Sequence, residues 1–156
     1  MYNILLNLSR NIFFYKKIKL DDTFETRILL MFFHFSILMI ISKKKGKKFN
    51  QDLYDGVFYN IEYNLRELGF GDVSVNKKMK DLNKILYDIL LKIGQDFDNN
   101  QKLKINSLVL IKYFPKLKEV KNTTFDEFLK YFENFFDFCF ELPSDNMLKE
   151  LKTYRL

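Results

Sequence analysis

Two glycines one residue apart, then an aspartate and clustered lysines, make LGFGDVSVNKKMK (residues 68–80) the segment most suggestive of chemistry. A phosphate-binding loop needs several backbone N–H groups converging at a helix start, normally after a buried strand. Here Ser74 stands where the third glycine would be, no Gly-Lys-Ser or Gly-Lys-Thr follows, and the residues before Gly69 have helical spacing. Gly69 instead suits a left-handed turn at a helix C-terminus, and Gly71 a sharp reversal into the next helix. On that helix Lys77, Lys80 and Lys84 fall within about one 60° sector, with Lys78 to the side. They lie opposite the Val75–Met79–Leu82–Leu86 stripe. The lysines read as a solvated face or as a binding surface for a protein, an anionic membrane or RNA. Arginines and aromatics interleaved for base and phosphate contact are missing from this helix, and DNA is not an expected partner.

His34 is the sole histidine and lies seven residues after Arg27, on nearly the same helix face as Met31, Leu38 and Ile41. A lone histidine with scattered carboxylates does not announce a metal site, and no serine elbow or cysteine signature accompanies it. It reads as a hydrogen-bonded core histidine answered by a carboxylate of the third helix. Asp22, Arg27, Arg66, Glu67 and Asp72 are expected to form a partly buried polar network around it. No catalytic residue, metal or cofactor is expected. A small enzyme acting on lipid or quinone would need a deep pocket lined by Arg27, His34 and Asp72. Cys139, the only cysteine, excludes an intrachain disulfide and sits in FFDFCFEL as a buried thiol.

These residues need a scaffold, and the sequence reads as all-α. At 156 residues, 47% hydrophobic and 29% charged, the chain suits one compact multi-helix domain over residues 1–156. A first helix is expected over 2–17. The second begins at DDTFE, with Asp22 as N-cap and Glu25 completing a capping box, and runs to about Ile41 as a central, apolar helix. ILLMFFHFSILMII (28–41) is shorter than the roughly 20 residues of a spanning helix. A third helix is expected over 51–68 and a fourth from Ser74 as N-cap, with Val75, Met79, Leu82, Leu86, Ile89 and Ile93 inward. Helices near 106–114, from Thr123 or Thr124 to before Pro143, and from Ser144 complete the set. Charge divides unevenly: residues 1–118 hold 21 basic and 12 acidic groups, residues 119–150 hold 3 and 8. MYNILLNLSRN does not read as a secretory signal, so a reducing compartment is expected.

SRNIFFY (9–15), LDDTFETRILLMFFHF (20–35), LYDGVFYNIEYNLRELGFGD (53–72) and VSVNKKMKDL (73–82), in this order, resemble the ubiquinol–cytochrome c chaperone family over about residues 1–90. The family's D-T-x-x-x-R with a later histidine matches Asp22, Thr23, Arg27 and His34. Its L-R-E-x-G-x-G-D matches Leu65, Arg66, Glu67, Gly69, Gly71 and Asp72, and its V-x-K-[KR]-M-K matches Val75, Lys77, Lys78, Met79 and Lys80. Two departures stand out: Asn76 replaces a common proline, and Tyr87-Asp88-Ile89 replaces Tyr-Gly-Arg. The resemblance implies a helical, non-enzymatic assembly chaperone for cytochrome b or other cytochrome bc1 complex subunits. It implies as further partners a small protein or the ribosome; the exposed lysines add a candidate peripheral contact with an anionic membrane. Location would be cytoplasmic at the inner membrane, or the mitochondrial matrix side. Lys77, Lys78, Lys80 and Lys84 are the candidate client-binding residues, and the Phe-rich acidic segment 125–142 is a candidate carrier of client specificity.

Overall fold

Short polar side chains decide where helices start in the computed structural model, which describes residues 1–154. α1 (Tyr2–Ser9) stops well before residue 17. Asn11 offers the backbone a local alternative, its side chain accepting from the Phe13 N–H at 3.0 Å. A π-helical turn over Phe13–Lys17 follows, and the Tyr15 hydroxyl ties it back to the Ser9 carbonyl at 2.6 Å. The expected continuous helix is therefore split, and the wide turn sends Phe14 fully into the core.

α2 (Phe24–Lys44) is capped by Thr23, whose Oγ1 accepts from the Thr26 N–H at 3.2 Å. Asp22 leaves the cap position for Arg27, accepting from Nε at 2.8 Å and Nη2 at 2.6 Å, so the expected Asp22–Glu25 capping box does not form. Asn50 caps α3 (Gln51–Glu67), accepting from the Asp52 N–H at 2.8 Å. Gly69 takes φ = 92°, the left-handed conformation anticipated for it. Gly71 does not require glycine: its φ of −75° and ψ of 168° are open to any residue. It is the N-cap of α4 (Asp72–Ile93), which leaves Ser74 inside the first turn rather than capping it.

Asn106 caps α5 (Ser107–Tyr113), and Pro115 opens a 3-10 turn that ends at Lys118. α6 (Asn122–Glu141) begins at Asn122, slightly before the two threonines, and α7 (Met147–Glu150) is one short turn. No strand occurs among the described residues; Phe97 and Leu103 form an isolated bridge in the loop before α5.

α2 is the hub of this all-α domain, packed by α1, α4 and α6. It is the one helix among the described residues long and apolar enough to cross a membrane, but 67% of its most apolar window is buried by its neighbours. A single apolar cluster extends from Leu5 in α1 to Met147 in α7. Its densest part is aromatic, where Phe128, Tyr131, Phe132 and Phe135 of α6 meet Phe14, Phe33 and His34, and Phe136 of the same helix meets Phe97. The rings of 125–142, the candidate carrier of client specificity, are thus only in small part open to a partner. Most of them fill the core, and Glu127, Glu133 and Asp137 of the same helix pair with Lys17, Lys104 and Lys102. Cys139 is buried beside them, and burial pushes its thiol above the ordinary range, the state of an unreactive structural cysteine.

Candidate functional site

Between α4 and α5, the α3–α4 turn and the first turns of α2 lies a groove of about 590 Å³. Phe24, Ile28, Leu29, Leu65, Leu82 and Ile85 supply apolar lining, while Leu68 and Phe70 stand at the edge, 58% and 37% exposed. The left-handed Gly69 between them is what turns the chain so that both large side chains reach the groove. Glu25, Lys78, Asp81 and Lys112 make a mixed-charge rim, and Lys78 Nζ lies 4.6 Å above the Phe70 ring. A cation over an aromatic face steadies an otherwise exposed ring.

Asp88 fixes the far wall. It accepts from Lys92 and Lys112 at 2.8 Å each and from the Tyr113 hydroxyl, joining α4 to α5. Burial pushes its carboxyl up, yet Lys112, Lys92 and Tyr113 outweigh that and hold it below the usual carboxylate range. Residues 88 and 89 are the positions at which the resemblance leads us to expect glycine and arginine. Asp88 is the clamp and Ile89 is fully buried in the core. The i, i+4 spacing of Asp88 and Lys92 was the only sequence sign of the clamp; Lys112 and Tyr113 join it through tertiary folding.

The four candidate lysines separate. Lys78 belongs to the groove rim, whereas Lys77, Lys80 and Lys84 are exposed on the outer face of α4, with no carboxylate at ion-pair distance among the described residues. The polar network expected around His34 does not exist as one unit. Arg27 pairs with Asp22; Arg66 pairs with Asp72 and, at 2.9 Å, with Glu62; Glu67 is exposed and joins Arg10 and Arg27 in lining a small cavity of about 220 Å³. These long side chains sit at the ends of helices near solvent, where each finds its nearest opposite charge.

His34 stands apart, completely buried. Its Nδ1 lies 2.7 Å from the Leu30 carbonyl, to which it donates, and Nε2 accepts from the Tyr131 hydroxyl at 2.8 Å. The partner is thus a tyrosine of α6 rather than a carboxylate of α3. Burial lowers the His34 pKa to about 4 against a weaker upward pull from the Leu30 carbonyl, so the ring is neutral at pH 7. Arg27, His34 and Asp72 share no cavity, which counts against the lipid- or quinone-enzyme reading.

The Arg27 side chain is 33% exposed and paired only at the surface, so Arg27→Met is expected to cost less than about 1 kcal/mol in urea denaturation. A loss of several kcal/mol would restore the buried network.

The fold and site define an all-helical protein that offers an apolar groove on one flank of α4 and unpaired cations on its outer face. Family comparison narrows this: the family model described as Ubiquinol-cytochrome C chaperone matches residues 16–106, more than half of the sequence, and the chain belongs to that family. No curated protein and no solved structure matches it. The match runs from the π turn through α4 and the following loop, past the residue 90 at which the resemblance was expected to end. It excludes the SRNIFFY stretch.

Proposed function

We propose that this protein is a stoichiometric assembly chaperone for the cytochrome bc1 complex, with cytochrome b as its client. It holds an apolar client segment in the groove between α2, α4 and α5. The observation that carries this reading is the groove edge: Leu68 and Phe70, two large apolar residues left in water inside the family-matched span, stand over an apolar cleft that α5 closes from outside that span. A cleft of this size takes the side chains of one helix face rather than a whole helix, the pattern of helix-in-groove recognition. The mixed rim of Glu25, Lys78, Asp81 and Lys112 suits the polar ends of such a segment. Holding a membrane protein before assembly needs no bond to form or break, so it needs binding groups only.

The test is crosslinked pull-down of the tagged chain from native membranes. Cytochrome bc1 subunits should be enriched over other membrane proteins. Replacing Leu68 and Phe70 together by Asp should lower that enrichment at least about tenfold, as losing two central anchors does, with helical circular dichroism unchanged. Equal recovery of unrelated membrane proteins would sink the client assignment.

A further inference from the structure

α4 already buries one apolar face through Val75, Leu86, Ile89 and Ile93, yet it carries a second patterned face turned to solvent. Val73, Lys77, Lys80, Lys84, Tyr87 and Leu91 recur at helical spacing and fall within about 80° of one another. All six are exposed, and Val73, Tyr87 and Leu91 leave 86%, 58% and 63% of their surface in water. At about 1.5 Å per residue the stripe is about 27 Å long, cationic in the middle and apolar at both ends.

Its C-terminal end opens into a second, larger groove of about 1060 Å³, to which Tyr87 and Leu91 contribute. Met39, Phe49 and Phe97 line it, and Lys43, Lys44, Lys47 and Lys48 from the end of α2 and the loop after it also border it. Lys44 lies 3.6 Å above the Phe97 ring and Lys47 reaches Asp145 at 3.3 Å. Lys43 and Lys48, like Lys77, Lys80 and Lys84, have no carboxylate partner among the described residues. No Asp or Glu lines this groove or lies in the stripe. Asp81 and Asp88 flank the stripe on the side of the client groove, and Asp88 is already neutralised by Lys92 and Lys112.

We propose that this stripe and the lysine-rimmed groove form a docking surface for an anionic phospholipid bilayer. α4 lies along the membrane plane, with Tyr87 and Leu91 at the acyl boundary and the five unpaired lysines against lipid phosphates. Charge complementarity selects an anionic partner. The stripe's long, straight run of charge between apolar ends matches a planar surface with an apolar layer beneath it. Lysines without arginines, with Tyr87 the one aromatic on the stripe and Phe97 covered by Lys44, are a poor reader of nucleic acid. The proposal goes beyond the client reading and rests on different residues, so either can fail alone.

Flotation of the full chain with vesicles of phosphatidylcholine, with and without phosphatidylglycerol, tests it. Binding should require the anionic lipid and weaken with added salt. The variant Lys77→Gln/Lys80→Gln/Lys84→Gln should bind about a hundredfold more weakly, at about fivefold for each surface lysine. Tyr87→Ser/Leu91→Ser should also weaken binding but keep its salt dependence. Lys118→Gln/Lys130→Gln/Lys149→Gln, which removes equal charge elsewhere, and the Leu68/Phe70 variant should bind as the wild type does. Equal binding to neutral vesicles, no binding at low salt, or equal loss in the charge control would overturn the proposal. So would retention on single-stranded RNA in place of vesicles, which assigns the lysines to nucleic acid. Unchanged vesicle binding by the triple variant, with cytochrome bc1 subunits lost from its pull-down, would give the stripe to the client.

Discussion

Phe132→Ala is expected to remove about 3–5 kcal/mol of folding stability, the largest loss of any change considered for this protein. Phe132 is fully buried and its ring touches rings from three elements. Phe14 of the π turn lies 6.1 Å away between centroids, Phe33 and His34 of α2 at 5.3 and 5.2 Å, and Phe128 and Tyr131 of α6 at 5.3 and 5.0 Å. Rings of this size, mutually fixed in edge-on, tilted and stacked arrangements, do not collapse into the space a lost phenyl leaves. Since domains of this size are stable by only about 5–15 kcal/mol, the variant should be marginal at 37 °C. The shift in urea midpoint, at unchanged slope, measures it; a loss under about 1 kcal/mol would mean that the aromatic cluster is looser than described.

Acid should act through the same cluster. His34 in the folded protein titrates at about 4, against 6.5 for a free imidazole, so between these pH values the unfolded chain takes up a proton that the native one refuses. Stability is therefore intact above about pH 6.5, falls as pH drops through that window, and the loss is complete below about pH 4. Its full extent is about 3 kcal/mol. Asp88 has its carboxyl held low, so its stabilising contribution is lost only at more acid pH, below the ordinary carboxylate value. The double variant His34→Leu/Tyr131→Phe removes both polar partners and should flatten the dependence between pH 4 and 6.5. An unchanged slope in that variant would show that another group is responsible.

What could be read in advance was whatever depends on neighbours in the chain. The spacing of Val75, Met79, Leu82, Leu86, Ile89 and Ile93 places α4 and its buried face, and the uniformly apolar 28–41 stretch marks α2 as the central helix. Gly69 follows from the need to end a helix in a left-handed turn. The misplacements are local competitions. Asn11 breaks α1 by offering its own acceptor, and Thr23 caps α2 because Asp22 is drawn to Arg27. The remaining discrepancies are long-range. Tyr131 lies 97 residues from the histidine it serves, and Lys112 lies 24 from Asp88, separations at which no periodicity speaks. Lysines 77, 78, 80 and 84 could be grouped from spacing alone. Lys78 parts from the other three because Phe70, placed by the turn, gives it a ring to cover.

The same turn makes the central claim testable at a single residue. Phe70 stands at the groove edge, about a third exposed, whereas Lys130 lies on exposed α6 surface outside both grooves. A photo-crosslinking amino acid placed at each position in turn, in cells assembling the cytochrome bc1 complex, reports what each touches. Crosslinks from position 70 to cytochrome b, absent from position 130, are the predicted result. Crosslinks that are absent at both positions, or equal at both, would contradict a client-holding groove.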